Sequence, residues 1–434
     1  MNTNAPVVRR AGALLAAATI AAGLAACGTG TGDSSGGTTT ITLSMQNANV
    51  ELSDPATWEI VQNFQEQNPD IKIEVSGEPT AQHLQKLTIA AQSDTLPDIF
   101  WVYATTAGSL NDDGKLLDLS PMLDDLGIRD NFADSALANF ADGDTQFGLP
   151  YQGLLTGYYY NKKILADNGL EPPVTFDDLL NIAETLSAKG ITTISQGSSQ
   201  SSFSVWAFLT DLDRFGYEDV YQDILSGDAS YDNPDFLRLY EHIAELADAG
   251  AFPSNTATQT YQQAVDAFAN GEAAMLDSGI WSSSYLQESA IAGDIGFWVG
   301  PTYSDGVGEQ NIVMNVPSAP FAVSAKVGSD PAKLEAVQKF FAYYYSDEAQ
   351  QVLVDKGQPP VTTYQAQVDA AKNSVFAAVL EAANGLPSPS AQPDLVVPEP
   401  VASAMYDSIY GVIQKQLSPQ EALQLVQKAF ESNT

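Results

Sequence analysis

Residues 41–75 read ITLSMQNANVELSDPATWEIVQNFQEQNPDIKIEV, and their periodicity decides the fold. Ile41, Leu43 and Met45 alternate as in a strand with one buried face. Asp54-Pro55 supplies an N-cap and a first helical residue, Trp58, Val61 and Phe64 fall along one helical face, and Asn68-Pro69 ends the run. Ile71, Ile73 and Val75 then alternate again. Strand, helix and strand within about thirty-five residues predict a βαβ unit with parallel strands and a right-handed crossover. A further helix around residues 82–92 leads into Leu96-Pro-Asp-Ile-Phe-Trp-Val102, which reads as a buried strand, so this part of the chain is an α/β lobe.

The whole chain is too large for one such lobe. Its 434 residues, 44% of them hydrophobic, predict two packed units and exclude a disordered tail or a disulfide scaffold. Eighteen Lys and Arg against 54 Asp and Glu give a formal charge of −36, which repels phosphate backbones and argues against nucleic acid or anionic lipid as a partner. The single cysteine and the two histidines, His83 and His242, leave no basis for disulfides, iron–sulfur clusters or zinc sites, so neither a metal nor a cofactor is expected.

Arg9-Arg10 precede the apolar run 11–26, sixteen residues and hence shorter than the ~20 that span a bilayer, so residues 1–26 read as a secretory signal. The run ends in Leu24-Ala25-Ala26-Cys27, which resembles the lipobox of bacterial lipoproteins; that resemblance implies a lipid on the Cys27 thiol and a mature chain beginning there. An ordinary signal peptide with an incidental cysteine is the alternative. The arginine pair fits Sec or twin-arginine export. Residues 28–40, GTGTGDSSGGTTT, hold no apolar residue and are expected to be a flexible tether. Loss of the signal removes two arginines and no acid, leaving 16 basic against 54 acidic residues, a net charge of −38. The expected location is the extracellular face of the cytoplasmic membrane, as in Gram-positive surface lipoproteins.

Cap signals recur downstream. Thr175 with Asp178 starts a helix carrying Leu179, Ala183 and Leu186. Asn233-Pro234 opens one with Leu237, Tyr240, Ala244 and Ala247, Asp330-Pro331 opens another with Leu334, Val337 and Phe341, and Ser418-Pro-Gln-Glu421 is a capping box ahead of Leu423, Val426 and Phe430. The stretch from Gly385 to Pro400 is proline-rich and is expected to be a loop at the surface or along a cleft.

Six segments together resemble the extracellular solute-binding proteins of ABC importers, in the group that includes the maltodextrin-binding proteins. They are Asn68-Pro-Asp-Ile-Lys-Ile-Glu-Val75, Leu96-Pro-Asp-Ile-Phe100, Gly148-Leu-Pro150 with Tyr159-Tyr-Asn-Lys162, Gly169-Leu-Glu-Pro-Pro-Val-Thr-Phe-Asp-Asp-Leu179, Ala273-Ala-Met-Leu-Asp-Ser-Gly-Ile-Trp281 and Ser346-Asp-Glu-Ala-Gln350. They stand in family order from about residue 40 onward. The resemblance implies a type II periplasmic-binding-protein-like fold: two α/β lobes, a multi-strand hinge and a ligand cleft between. On this chain it places lobe 1 at residues 38–152 plus 301–355 and lobe 2 at 153–300 plus 356–434. It implies a monomer that captures a neutral oligosaccharide and delivers it to membrane permease subunits.

A sugar has CH faces and hydroxyl edges, so its site needs aromatic platforms beside amide, carboxylate and hydroxyl partners. The resemblance points to Trp101 at a strand end and Trp281 after Ser-Gly as platforms, with Tyr406 and Phe203 at positions of further family aromatics. Loop residues after strands supply the polar candidates Asn47, Tyr103, Tyr151, Gln152, Gln200 and Asp277. Trp206 reads as core, and so do Trp58 and Trp298. Leu154 stands where maltodextrin binders offer a carboxylate, which argues against maltodextrin as the ligand. The competing readings are a peptide or amino-acid receptor, a secreted glycosidase and an adhesive lipoprotein without a small ligand. No His-Glu-x-x-His or Walker A sequence occurs, and no catalytic residue is assigned.

Overall fold

The computed structural model describes residues 38–199, 204–365, 367–390 and 392–433. β1 (Thr39–Met45), α1 (Pro55–Gln67) and β2 (Ile71–Gly77) form the expected βαβ unit, with Ile41 opposite Ile73 and Leu43 opposite Val75 in parallel register. Strand pairing therefore begins at Thr39, inside the segment read as tether. Asp54 caps α1 through Thr57 N at 3.2 Å, and Asn68 ends it by donating from Nδ2 to Phe64 O at 2.9 Å. The helix buries Ala56, Ile60, Val61 and Phe64, while Trp58 lies half-buried at the edge of that stripe. After α2 (Thr80–Gln92), β3 is confined to Ile99–Trp101 and runs parallel to β1.

The next strand joins the two ends of the molecule. β4 (Leu149–Asn161) is thirteen residues long and pairs differently along its length. α3 (Phe176–Ser187), β5 (Thr192–Ser195), α4 (Trp206–Arg214), α5 (Pro234–Asp248) and α6 (Tyr261–Ala269) follow, then β6 (Ala273–Gly279), β7 (Ile295–Trp298) and β8 (Asn315–Val323). The sheet order is β2-β1-β3-β8-β4-β6-β5, with β7 also on β4. Residues 149–155 of β4 pair antiparallel with β8, whereas Thr156–Asn161 pair with β6 and β7. The register of β8 slips twice between Pro317 and Pro320, and such irregularities bend a strand.

The helices α7 (Pro331–Tyr344), α8 (Ser374–Ala383), α9 (Glu399–Ile413) and α10 (Pro419–Asn433) complete the chain. The elements read from sequence hold where the signal is local: Thr175 and Asp178 form a full capping box on α3, and Ser418 and Glu421 do so on α10. The proline-rich stretch is less uniform than expected. A 3-10 turn at Pro393–Leu395 interrupts it, and α9 begins at Glu399 with Pro400 in its first turn, where a missing N–H costs nothing.

Two apolar cores flank the sheet's midpoint. Ile41, Leu43, Phe64, Tyr151, Phe321 and Phe341 build the first, and Tyr158, Leu179, Phe208, Ile243, Met405 and Leu423 the second. A third cluster, with Tyr159, Phe268 and Phe376, adjoins the β4, β6 and α8 side. Residues 301–314 pack away from the first core: Tyr303 belongs to the second, and Gln310 and Ile312 accept through their carbonyls from the buried Arg214 at 3.1 and 3.0 Å. Arg214 is also paired with buried Asp211 at 2.6 Å, which in turn accepts from Tyr303 Oη at 2.9 Å.

Candidate functional site

Between the cores lies a hollow of about 510 Å³. Its first wall comes from the loop after β1 (Gln46, Asn47), from Leu52 and Thr80, and from Trp101 and Tyr103 at the end of β3. Its second wall comes from Trp206 at the start of α4, Tyr261 at the start of α6, and Trp281 and Tyr285 after β6, with Asp394, Leu395 and Tyr406 from the C-terminal stretch. Leu154 lies at its base, beside Met314 and Val316 where β4 and β8 cross from one core to the other.

Local sequence explains how the rings stand. Gly279 ends β6, and a Cβ there would fall 2.2 Å from the Trp281 ring and 2.7 Å from Leu155 O, so only glycine admits the indole. Trp281 donates from Nε1 to Tyr261 Oη at 2.8 Å, and that hydroxyl also bonds Ser278 Oγ at 2.7 Å and Ser282 Oγ at 3.0 Å. Trp206 meets Trp281 edge-on at 4.8 Å between centroids and Tyr261 at 5.3 Å. Across the hollow, Trp101 is 4% exposed and packs against Tyr103 at 4.8 Å. Gly77 sets the opposite loop, because a Cβ there would come 1.9 Å from Asn47 O.

Three buried polar atoms of the lining residues have no hydrogen-bond partner within the protein: Gln46 Oε1, Trp101 Nε1 and Gln392 Oε1. Buried polar groups are nearly always paired, so a cleft holding three such atoms suits a ligand with donors and acceptors of its own. Asp394 accepts from Tyr406 Oη at 2.5 Å and Gln392 Nε2 at 2.6 Å. Burial pushes its carboxyl above the ordinary range against those two bonds. Burial, and then the charge of Asp394, pushes the phenols of Tyr103 and Tyr406 up as well.

The structure thus brings Asn47, Trp101, Tyr103, Trp281 and Tyr406 to one hollow. It sets Tyr151 and Asp277 elsewhere. Tyr151 is buried in the first core and donates to Asp54, because its alternation on β4 turns it toward the helices rather than the cleft. Asp277 is 1% exposed and accepts from Ala207 N at 3.1 Å and Gln196 Nε2 at 3.2 Å, so it holds the first turn of α4 from beneath. Gln152 lies within β4 by its backbone, opposite Ala319. Gln200, Phe203 and Cys27 fall outside the described residues. Trp206, read as core, also lines the hollow. Tyr261, Tyr285, Gln46, Gln392 and Asp394 were not anticipated; a capping box at Thr260 and Gln263 marks where α6 begins, yet nothing local says what Tyr261 faces. Among the described residues, no group of three or more His, Cys, Asp or Glu side chains could hold a metal ion.

Known proteins share this architecture. The profile described as bacterial extracellular solute-binding protein matches residues 47–351. A maltooligosaccharide ABC transporter solute-binding lipoprotein of Streptococcus pneumoniae is 24% identical over 441 residues, 97% of each chain. A multiple sugar-binding protein of Streptococcus mutans is 22% identical over 351 residues, 77% of each. Among solved structures, a chitin oligosaccharide binding protein superposes with a TM-score of 0.81 at 22% identity, covering 91% of this chain and 99% of the other. Maltose-bound MalE3 of T. maritima gives 0.74 at 21% identity, covering 91% and 99%. The shared fold is the two-lobed type II architecture, with the hollow at the junction of the lobes.

Proposed function

The chain belongs to the bacterial extracellular solute-binding proteins, and from that membership we propose that it captures an oligosaccharide between its lobes and hands it to the permease of an ABC importer. The observation that carries this reading is the hollow itself: three indoles and the phenols of Tyr103, Tyr261, Tyr285 and Tyr406 beside three unpaired polar atoms. Aromatic faces suit the CH face of a pyranose, and unpaired donors and acceptors suit its hydroxyls. Asn47, Trp101, Tyr103, Trp281 and Tyr406 are the contacts we assign from the sequence, with Tyr261, Gln46 and Asp394 added. Binding without catalysis is the proposed activity, and no cofactor is assigned.

The lobes divide, in this reading, near Leu154 and near Met314, where β4 and β8 pass between the cores. The second crossing is placed later than residue 301 because Tyr303 and Gln310 are tied to the second core. Ligand closes the lobes only through a higher affinity for the closed state. Cys27 is proposed as the lipidated N-terminus that holds the protein on the outer face of the membrane, and mass spectrometry of membrane-extracted protein tests this. An unmodified N-terminus downstream of Cys27 in fresh cells contradicts it.

Thermal shift of the mature chain across sugars, peptides and amino acids tests the ligand class. A sugar at 100 times its dissociation constant adds about 2.7 kcal/mol to stability. A shift with peptides and none with any mono- or oligosaccharide overturns the proposal.

A further inference from the structure

The cleft is unbalanced in charge and in hydrogen-bonding capacity. A second hollow of about 640 Å³ adjoins the first and shares Thr80, Tyr103, Asp394, Leu395 and Tyr406 with it, so Asp394 stands at the junction of the two. The ionisable side chains other than tyrosine that line either hollow are Asp266, Asp394, Glu399 and Asp407, all acids; among the described lining residues there is no Lys, Arg or His. Asp394 is 8% exposed and its two partners, Tyr406 and Gln392, are neutral.

Acceptors exceed donors at the same place. The Nε2 of Gln392 must face Asp394, because a carboxylate only accepts, and this fixes the amide so that its unpaired atom is the oxygen. Gln392 is 1% exposed, and it lines the first hollow. Gln46 Oε1 is a second unpaired acceptor there, against one unpaired donor, Trp101 Nε1. A desolvated carboxylate, an unpaired amide oxygen and two phenol rings make a site that an ammonium group satisfies better than a hydroxyl does. An ammonium brings a compensating charge and three donors, and aromatic rings attract cations.

We propose that the preferred ligand is an oligosaccharide carrying a basic amine, seated at the junction of the two hollows against Asp394 and Gln392 and beside Tyr103 and Tyr406. This rests on the carbohydrate reading above and narrows it, and Asp394 becomes the residue that sets specificity. Uronic acids and sulfated sugars are rejected by the same carboxylates.

Calorimetric titration of the mature chain with matched oligomers tests it: cello-, chito- and malto-oligosaccharides, the same backbones with free amines at C2, and oligouronates. In each linkage that binds, the amine form is expected to bind at least tenfold more tightly than the neutral form, and the uronate not at all. Asp394→Asn should reduce the amine advantage, measured as the ratio of amine to neutral affinity in the same variant, to threefold or less. Tyr406→Phe, which leaves the carboxylate in place, should keep the advantage. Neutral sugars binding as tightly as amines, or an advantage unchanged in Asp394→Asn, overturns this inference and leaves the carbohydrate reading standing. Binding of no sugar in any form overturns both.

Discussion

Gly279 leaves the space that the indole of Trp281 fills, since a Cβ at 279 would lie 2.2 Å from Cζ3 and 2.4 Å from Cη2 of that ring. The φ of Gly279 is −134°, so the requirement is steric rather than conformational. The Gly-Ile-Trp order is thus a device for standing a flat ring at the edge of the cleft.

Gly279→Ala should therefore displace Trp281 and act as a binding defect. We expect sugar affinity to fall at least tenfold, about 1.4 kcal/mol, and the Trp281–Tyr261 hydrogen bond to be lost. Titration and a crystal structure of the variant check this; unchanged affinity with an unmoved indole would contradict it.

Tyr261→Phe removes the hydroxyl that joins Trp281 Nε1 to Ser278 and Ser282. Ser278 and Ser282 keep their mutual bond at 2.8 Å, so the donor left unpaired is Trp281 Nε1, which should cost about 1–3 kcal/mol of stability, read from denaturant melts. Affinity should fall several-fold as well, because the indole loses the bond that fixes its edge and leaves only its face for a ligand.

Trp281→Ala and Trp101→Ala should separate platform from core. Trp281 is half-buried and loses an edge contact with Trp206 and the hydrogen bond to Tyr261, each about 0.5–1.5 kcal/mol, so its truncation should weaken binding at least tenfold with a smaller change in apo stability than a core indole gives. Trp101 is 4% exposed and packs in the first core, so its truncation should also cost about 3–5 kcal/mol of folding. Equal stability losses in the two variants would contradict the placement of Trp281.

What was legible follows from range. The βαβ unit, the Thr175 and Ser418 caps and the proline-started helices were readable because each depends on residues within a few positions. Trp101 and Trp281, which line the hollow, were singled out through short family-like segments. Tyr151 and Asp277 were not placed correctly, because one step of strand register decides whether a side chain faces cleft or core. Asp394, Gln392 and Tyr261 share one hollow with Gln46, Trp101 and Tyr103, residues more than a hundred positions away in sequence, and no local pattern records that. The later crossing we propose near Met314 rests likewise on Arg214 binding Gln310 and Ile312, a pairing invisible before folding.

Apo stability should peak between about pH 4 and 6. Burial pushes Asp211 up to about 6 from 3.8, against the pull of Arg214, so the folded state holds a proton that the unfolded chain releases. This contribution is full below 3.8 and is lost as pH rises through about 6, on the order of 3 kcal/mol for Asp211. Burial shifts Asp213, Asp277 and Asp394 in the same sense. Asp94, Asp178 and Glu421 are held below their ordinary range, by Lys115 and by the backbone N–H groups of Thr175 and Ser418, so their contribution is lost on acidification. Denaturant melts from pH 3 to 8 check the profile; stability that climbs steadily from pH 5 to 8 would contradict it.

The most direct test of sugar capture in this cleft is a fluorescence titration of the mature chain with an oligosaccharide series, repeated on Trp281→Phe. Three of the five tryptophans line the hollow, so one-to-one saturable binding should change the indole emission, and Trp281→Phe should lose a large part of that change. Tight sugar binding with unperturbed emission, or saturable binding of peptides with none of any sugar, would contradict the account.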